Sequence, residues 1–108
     1  LGRVHADTGH LLENVVYLEL LRRGYEVCIG KTPNGEIDFI ATRQNDKIYI
    51  QITKEIKSEK TEKREYDRLL EINDNYPKYL LTTDDFAGGN YQGIKTMHIA
   101  DFLLSKEY

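Results

Sequence analysis

The sequence predicts an α/β domain in which helices cover a mixed, mostly antiparallel sheet, in the order α-β-β-β-α-β-β-α. Three observations carry this prediction: an apolar series at helical spacing that stops at a glycine, three short β-forming segments joined by turn residues, and a charge-laced second helix that leads into a buried-looking strand. A length of 108 residues allows a single domain over 1–108, and 40% hydrophobic residues supply it with a core. No apolar run approaches the ~18 residues of a membrane span, so no membrane partner is expected. Cys28 is the single cysteine, which excludes an internal disulfide and a cysteine-based zinc site and suits a reducing cytoplasm. The chain starts at Leu1 and its one methionine is Met97, which reads as a processed chain or, by preference, an excerpt of a longer protein, any partner domain then lying upstream.

From an N-cap at Asp7 or Thr8, Leu11, Leu12, Val15, Val16, Leu18, Leu20 and Leu21 recur at helical spacing until Gly24. Tyr25 to Lys31 is a short β-forming segment that ends in the turn residues Thr32, Pro33, Asn34 and Gly35. Glu36 to Arg43 and Lys47 to Thr53 form the next hairpin around Gln44, Asn45 and Asp46. A second helix is predicted from about Ser58 to Asn73, with Tyr66, Leu69 and Leu70 inward. Lys78 to Thr83 follows Pro77 as a buried strand, Asp84 to Gly93 loops around Gly88 and Gly89, and Ile94 to Ile99 is the last strand. Asp101 is the predicted cap of a short final helix through Phe102, Leu103 and Leu104.

Period-two alternation places Ile48, Ile50 and Ile52 on one face of the third strand and Tyr49, Gln51 and Thr53 on the other. On the second strand Glu36 and Asp38 share a face with Ile40. A two-residue Gln44–Asn45 loop pairs residues whose numbers sum to 89, which sets Asp38 opposite Gln51 on one face, with Glu36 and Thr53 one step further. Two hard oxygen ligands at a strand spacing, Asp38 as main ligand and Gln51, with a backbone carbonyl and with Glu36 one step along the same face, suit Mg²⁺. Such an ion activates water for phosphodiester hydrolysis. The ordinary alternative is the polar side of a half-exposed sheet.

The element order, together with GHLLENVVYLELLRRGYEV, GEIDFIA, YIQIT and DNYPKYLLTTDDF, resembles the PD-(D/E)XK nuclease superfamily, with its restriction-endonuclease-like sandwich. More narrowly, it is similar to the nuclease-like domain found C-terminal to an AAA-type ATPase module in many bacterial and archaeal proteins. The resemblance covers nearly the whole chain and implies a site of Glu13, Asp38, Gln51 and Thr53, an ATPase module upstream as partner and DNA as substrate. Thr53 stands where the family carries a lysine, and threonine supplies no permanent cation to steady developing negative charge. Lys54 is adjacent, but the strand period sends it to the opposite face unless a bulge intervenes. The resemblance therefore favours a non-catalytic or weakly active accessory domain with a nucleic-acid-binding or regulatory role. The alternatives are an active Mg²⁺-dependent endonuclease and a protein-interaction module.

Only the resemblance selects Glu13; on the helical wheel Glu19 lies deeper in the apolar arc. Lys57, Lys60, Arg64 and Arg68 form a stripe able to meet phosphates, yet residues 54–68 hold six basic and five acidic side chains, as an ordinary solvated helix does. The overall charge of −3 and a pI near 5.6 argue against strong unassisted nucleic-acid binding. His5, His10 and His98 lack zinc-ligand spacing, Cys28 reads as a small buried hydrophobe, and the tyrosines read as core or rim aromatics, with Tyr49 on the Asp38–Gln51 face.

Overall fold

The apolar series from Leu11 to Leu21 forms α1 (Thr8–Arg22) in the computed structural model, which describes residues 8–33, 35–54, 59–84 and 88–108. The alternative cap Asp7, together with His5, lies outside the described residues. Gly24 ends the helix as predicted: it adopts φ +89°, and the N–H groups of Gly24 and Tyr25 donate to the carbonyls of Leu21 and Leu20. That paired closure favours glycine because the left-handed conformation clashes with a Cβ. The chain then runs through β1 (Glu26–Thr32), β2 (Gly35–Arg43), β3 (Asp46–Thr53), α2 (Glu59–Leu70), β4 (Lys78–Thr82), β5 (Asn90–Tyr91), β6 (Ile94–His98) and α3 (Ile99–Leu104).

The result is an α/β fold with a six-stranded mixed open sheet, ordered β1-β2-β3-β4-β6-β5, and three helices. β1, β2 and β3 are antiparallel, β3, β4 and β6 are parallel, and β5 returns antiparallel to β6. A parallel step needs a crossover, which α2 provides between β3 and β4. The two-residue turn is present: β2 and β3 pair Phe39 with Ile50, Ala41 with Ile48 and Arg43 with Asp46, around Gln44 at φ 52°.

Three predicted details change. The sequence predicts a loop where β5 forms; its two residues pair with Lys95 and Ile94 but carry too little pattern to mark a strand. α2 stops at Leu70, with the Ile72 N–H still held by the Leu69 carbonyl, rather than at Asn73. The cap of α3 is His98, whose Nδ1 accepts from the Ala100 N–H; Asp101 lies in the first turn instead.

The sheet separates two apolar clusters. On one face Val16 and Leu20 of α1 and Phe102 of α3 meet Ile48, Ile50, Tyr79 and Leu81. On the other, Tyr66 and Leu69 of α2 meet Ile37, Tyr49, Leu80 and Ile94. β4 is buried at all five positions, as expected of a central parallel strand covered on both sides. β1 is an edge strand, and there Cys28 is exposed instead of buried: Val27 turns toward the first cluster and Cys28 away from it.

One irregularity positions the site. Along β1 and β2, Cys28 faces Ile40 but Gly30 faces Ile37, so β2 carries one more residue than β1 between these pairs. This β-bulge reverses the alternation, and Ile37 joins Ile40 on the α2 side. Glu36 and Asp38 are displaced from the face that strict alternation assigned them.

Candidate functional site

Glu13 and Asp38 meet where α1 passes over β2, and Gln51 lies beside Asp38 on the neighbouring strand. The Asp38 N–H donates to Gln51 Oε1 at 3.0 Å, and the Ile52 N–H donates to Asp38 Oδ2 at 2.8 Å. Each strand thus uses the other's side chain where the backbone ladder, last recorded at Phe39 and Ile50, gives out. The predicted adjacency is present, but the predicted common face is not. The Asp38 carboxyl lines a cleft with α1, whereas the Gln51 amide points the other way and donates through Nε2 to Glu65 Oε2 on α2 at 2.9 Å. The bulge at Asp38 and Phe39 is the cause.

Glu65 is a member of the cluster that the sequence reading did not select. It is buried and lies one helical turn before Leu69, on the inward side of α2. That i,i+4 relation to a core leucine was the available signal.

The cleft between α1, β1 and β2 has a volume of about 390 Å³. Glu13, Glu36 and Asp38 supply its carboxylates, and Tyr17, Ile29 and Phe39 its apolar wall. His10 Nδ1 stands 3.5 Å from Glu13 Oε2 at the rim. Burial pushes the Asp38 carboxyl up to about 7; the Ile52 amide opposes this, and the charge and hydrogen bond of Glu13 and the charge of Glu65 add to it. Asp38 thus holds its proton more tightly than a free aspartic acid does.

Thr53 does not line the cleft; it is half-buried beside Thr82 of β4. The β3–β4 register is unbroken to that pair, and the Thr83 N–H donates to the Lys54 carbonyl at 3.0 Å. No bulge therefore turns Lys54 into the lysine position, and its side chain is exposed. Among the described residues, no group of three or more His, Cys, Asp or Glu side chains is disposed to hold a metal ion.

Glu19, the rival of Glu13, belongs elsewhere: Arg22 and Arg23 hold its carboxyl down to about 2 through charge-assisted hydrogen bonds. Of the basic stripe, Lys57 lies outside the described residues, as does the side chain of Lys60, while Arg64 is exposed. Arg68 is half-buried, with its guanidinium against Gly35. Tyr49 is a core aromatic whose hydroxyl donates to Asp74.

No helix of the described residues is long and apolar enough to cross a membrane. The chain is similar to an uncharacterized protein of Haemophilus influenzae, with 42% identity over 104 residues, which is 96% of this chain and 25% of that protein. It thus spans about a quarter of the length of the curated relative it matches. The profile of a family described as a domain of unknown function, DUF4143, matches residues 8–102, and the chain belongs to that family.

Proposed function

We propose that this chain is a cytoplasmic nuclease-like accessory domain with the PD-(D/E)XK, restriction-endonuclease-like sandwich, working beside an AAA-type ATPase module of the same polypeptide. In this reading its old metal site is a structural and docking element with a regulatory role rather than a hydrolytic centre. The kinship rests on the order α-β-β-β-α-β and on Asp38 facing Glu13 across the cleft while its backbone N–H meets Gln51 on the neighbouring strand.

One observation favours a reading without hydrolysis: two of the oxygens that would ligate Mg²⁺, Asp38 Oδ2 and Gln51 Oε1, are engaged by backbone N–H groups. Asp38 Oδ2 takes the Ile52 amide, Gln51 Oε1 takes the Asp38 amide, and Glu65 takes the Gln51 side chain. Mg²⁺ prefers several converging oxygens in near-octahedral array, and this donor set does not fit it. Thr53 in place of the lysine removes the cation that would stabilise a pentavalent phosphate. The carboxylates of the cleft repel phosphate, so DNA contact falls to α2 and Arg64.

The active endonuclease is favoured by a different observation, the raised Asp38 carboxyl beside Glu13, because a divalent ion relieves such crowding. Titration calorimetry with Mg²⁺ and Mn²⁺, followed by incubation with branched, single-stranded and linear DNA, separates the two. The expected results are no saturable cation binding and intact DNA. Metal-dependent nicking that Asp38→Ala abolishes would establish the enzyme and overturn this reading.

A further inference from the structure

Helix α1 is apolar on two opposite sides. Val16 and Leu20 point into the core and are fully buried. On the far side Leu11, Val15, Leu18 and Leu21, three and four residues apart, remain 62%, 39%, 55% and 42% exposed. A helix that is apolar all round is ordinarily covered on both sides, and a contiguous exposed stripe of this kind marks an interaction surface. The stripe adjoins the cleft: Asn14 lies beside Leu18 on the wheel and lines the cleft with Tyr17, and across it Ile29 is 61% exposed.

Charge decides what covers this surface. Glu13, Glu36 and Asp38 face the cleft, no lysine or arginine among the described residues lines it, and the rim histidine His10 is already beside Glu13. Phosphate backbones and anionic lipid headgroups are repelled there. A long cationic side chain is suited to it, since its aliphatic stem packs on Tyr17, Phe39 and Ile29 while its head reaches the carboxylates.

We propose that the outer face of α1 and the adjoining cleft dock an amphipathic α-helix of another polypeptide segment, one bearing a lysine or arginine on one flank. Its apolar side chains cover Leu11 and Leu18, and its basic side chain enters between Glu13 and Glu36. The proposal rests on the preceding reading, in which these carboxylates are not committed to a metal. Recognition of this kind combines helix-in-groove packing with charge complementarity that fixes orientation.

The test uses a fluorescent synthetic helical peptide of about 18 residues, with leucines at three- and four-residue spacing and lysines on one flank. A scrambled peptide of the same composition, and one with glutamate for lysine, serve as controls. Fluorescence anisotropy is expected to show saturable binding of the amphipathic cationic peptide, and at least tenfold weaker binding of both controls. Leu18→Glu and Glu36→Lys, each at an exposed position and each checked for native circular dichroism, are both expected to weaken it at least tenfold. Equal binding of the scrambled peptide, or no effect of either variant, overturns the proposal. So does self-association of the free chain that Leu18→Glu dissolves, or binding to phosphatidylcholine vesicles, because each assigns the surface to another occupant. Metal-dependent DNA cleavage with peptide binding intact sinks the non-catalytic reading alone; an inert protein that also ignores the peptide sinks the docking proposal alone.

Discussion

Asp38→Asn isolates the energetic consequence of burying a carboxyl beside two others. Asparagine keeps the shape, its Oδ1 can still accept from Ile52, and its amide can donate to Glu13. The native carboxyl is raised from 3.8 to about 7, first by burial, against the pull of the Ile52 amide, and further by Glu13 and Glu65. Because the folded chain holds this proton more tightly than the unfolded chain, the group's contribution to stability is fully present below 3.8 and is lost as the pH rises through 7. Between about pH 5 and pH 7 the unfolded carboxyl is already ionised, and two units at ~1.36 kcal/mol each set an upper bound of about 2.7 kcal/mol. The group is partly exposed, and solvent screening reduces this to ~1–2 kcal/mol. Urea unfolding of both proteins at about pH 5 and pH 8, with chelator present, reads the difference directly. The asparagine variant is expected to gain ~1–2 kcal/mol relative to the native chain on moving from the lower to the higher pH. Equal pH dependence in the two proteins would show that Asp38 titrates normally and would refute the account of the cluster.

Gly30→Ala would place a Cβ 2.7 Å from Ile40 Cδ1 and 3.1 Å from Ile37 Cβ, and is expected to cost ~1–3 kcal/mol in thermal or urea unfolding. Glu19→Gln removes a carboxyl held down to about 2, so the native chain, but not the variant, shows a stabilising contribution present above pH 4.5 and lost as the pH falls through 2; acid titration by circular dichroism compares them. Tyr108 stacks on Phe102 with ring centroids 4.0 Å apart and lies under Arg23, yet its hydroxyl is buried with no hydrogen-bond partner among the described residues. Tyr108→Phe is therefore expected to stabilise by about 1 kcal/mol in the same unfolding measurement.

Much of this architecture was legible because it rests on short-range rules. The Leu11 to Leu21 periodicity and Gly24 define α1, and the Gln44–Asn45 turn sets the β2–β3 register, Phe39 to Ile50 included. The bulge was not legible. Ile37, Asp38, Phe39 and Ile40 satisfy plain alternation, and an inserted residue announces itself only through what it does to the neighbouring strand. Here the trace is Gly30: once the bulge brings Ile37 and Ile40 to the same side, a side chain on the facing residue has no room. The same shift explains why the Asp38–Gln51 meeting and the face of Gln51 follow from the sequence while the direction of Asp38 does not. Glu65 was hidden for another reason, since it sits among ten other charges in residues 54–68 and only its spacing to Leu69 separates it from them.

Gln51 and Thr53 form one electrostatic unit on β3. Both alternate toward the α2 side of β3, where Gln51 bonds Glu65 while Asp38 meets Glu13 across the sheet. A glutamate at 51 would add a fourth carboxylate to Glu13, Asp38 and Glu65, tolerable only with a cation at hand. With an uncharged threonine at 53, a neutral amide at 51 keeps the balance and makes two hydrogen bonds, one accepted from the Asp38 N–H and one donated to Glu65. Gln51→Glu alone is therefore expected to destabilise the chain by ~3 kcal/mol, as an uncompensated buried charge does. Thr53→Lys added to it should recover ~1–2 kcal/mol of that loss, whereas Thr53→Lys alone should give no such gain. A double-mutant cycle measured by urea unfolding yields the coupling. A coupling within ~0.5 kcal/mol of zero would mean that the two positions are energetically separate, and that the amide at 51 owes nothing to the charge at 53.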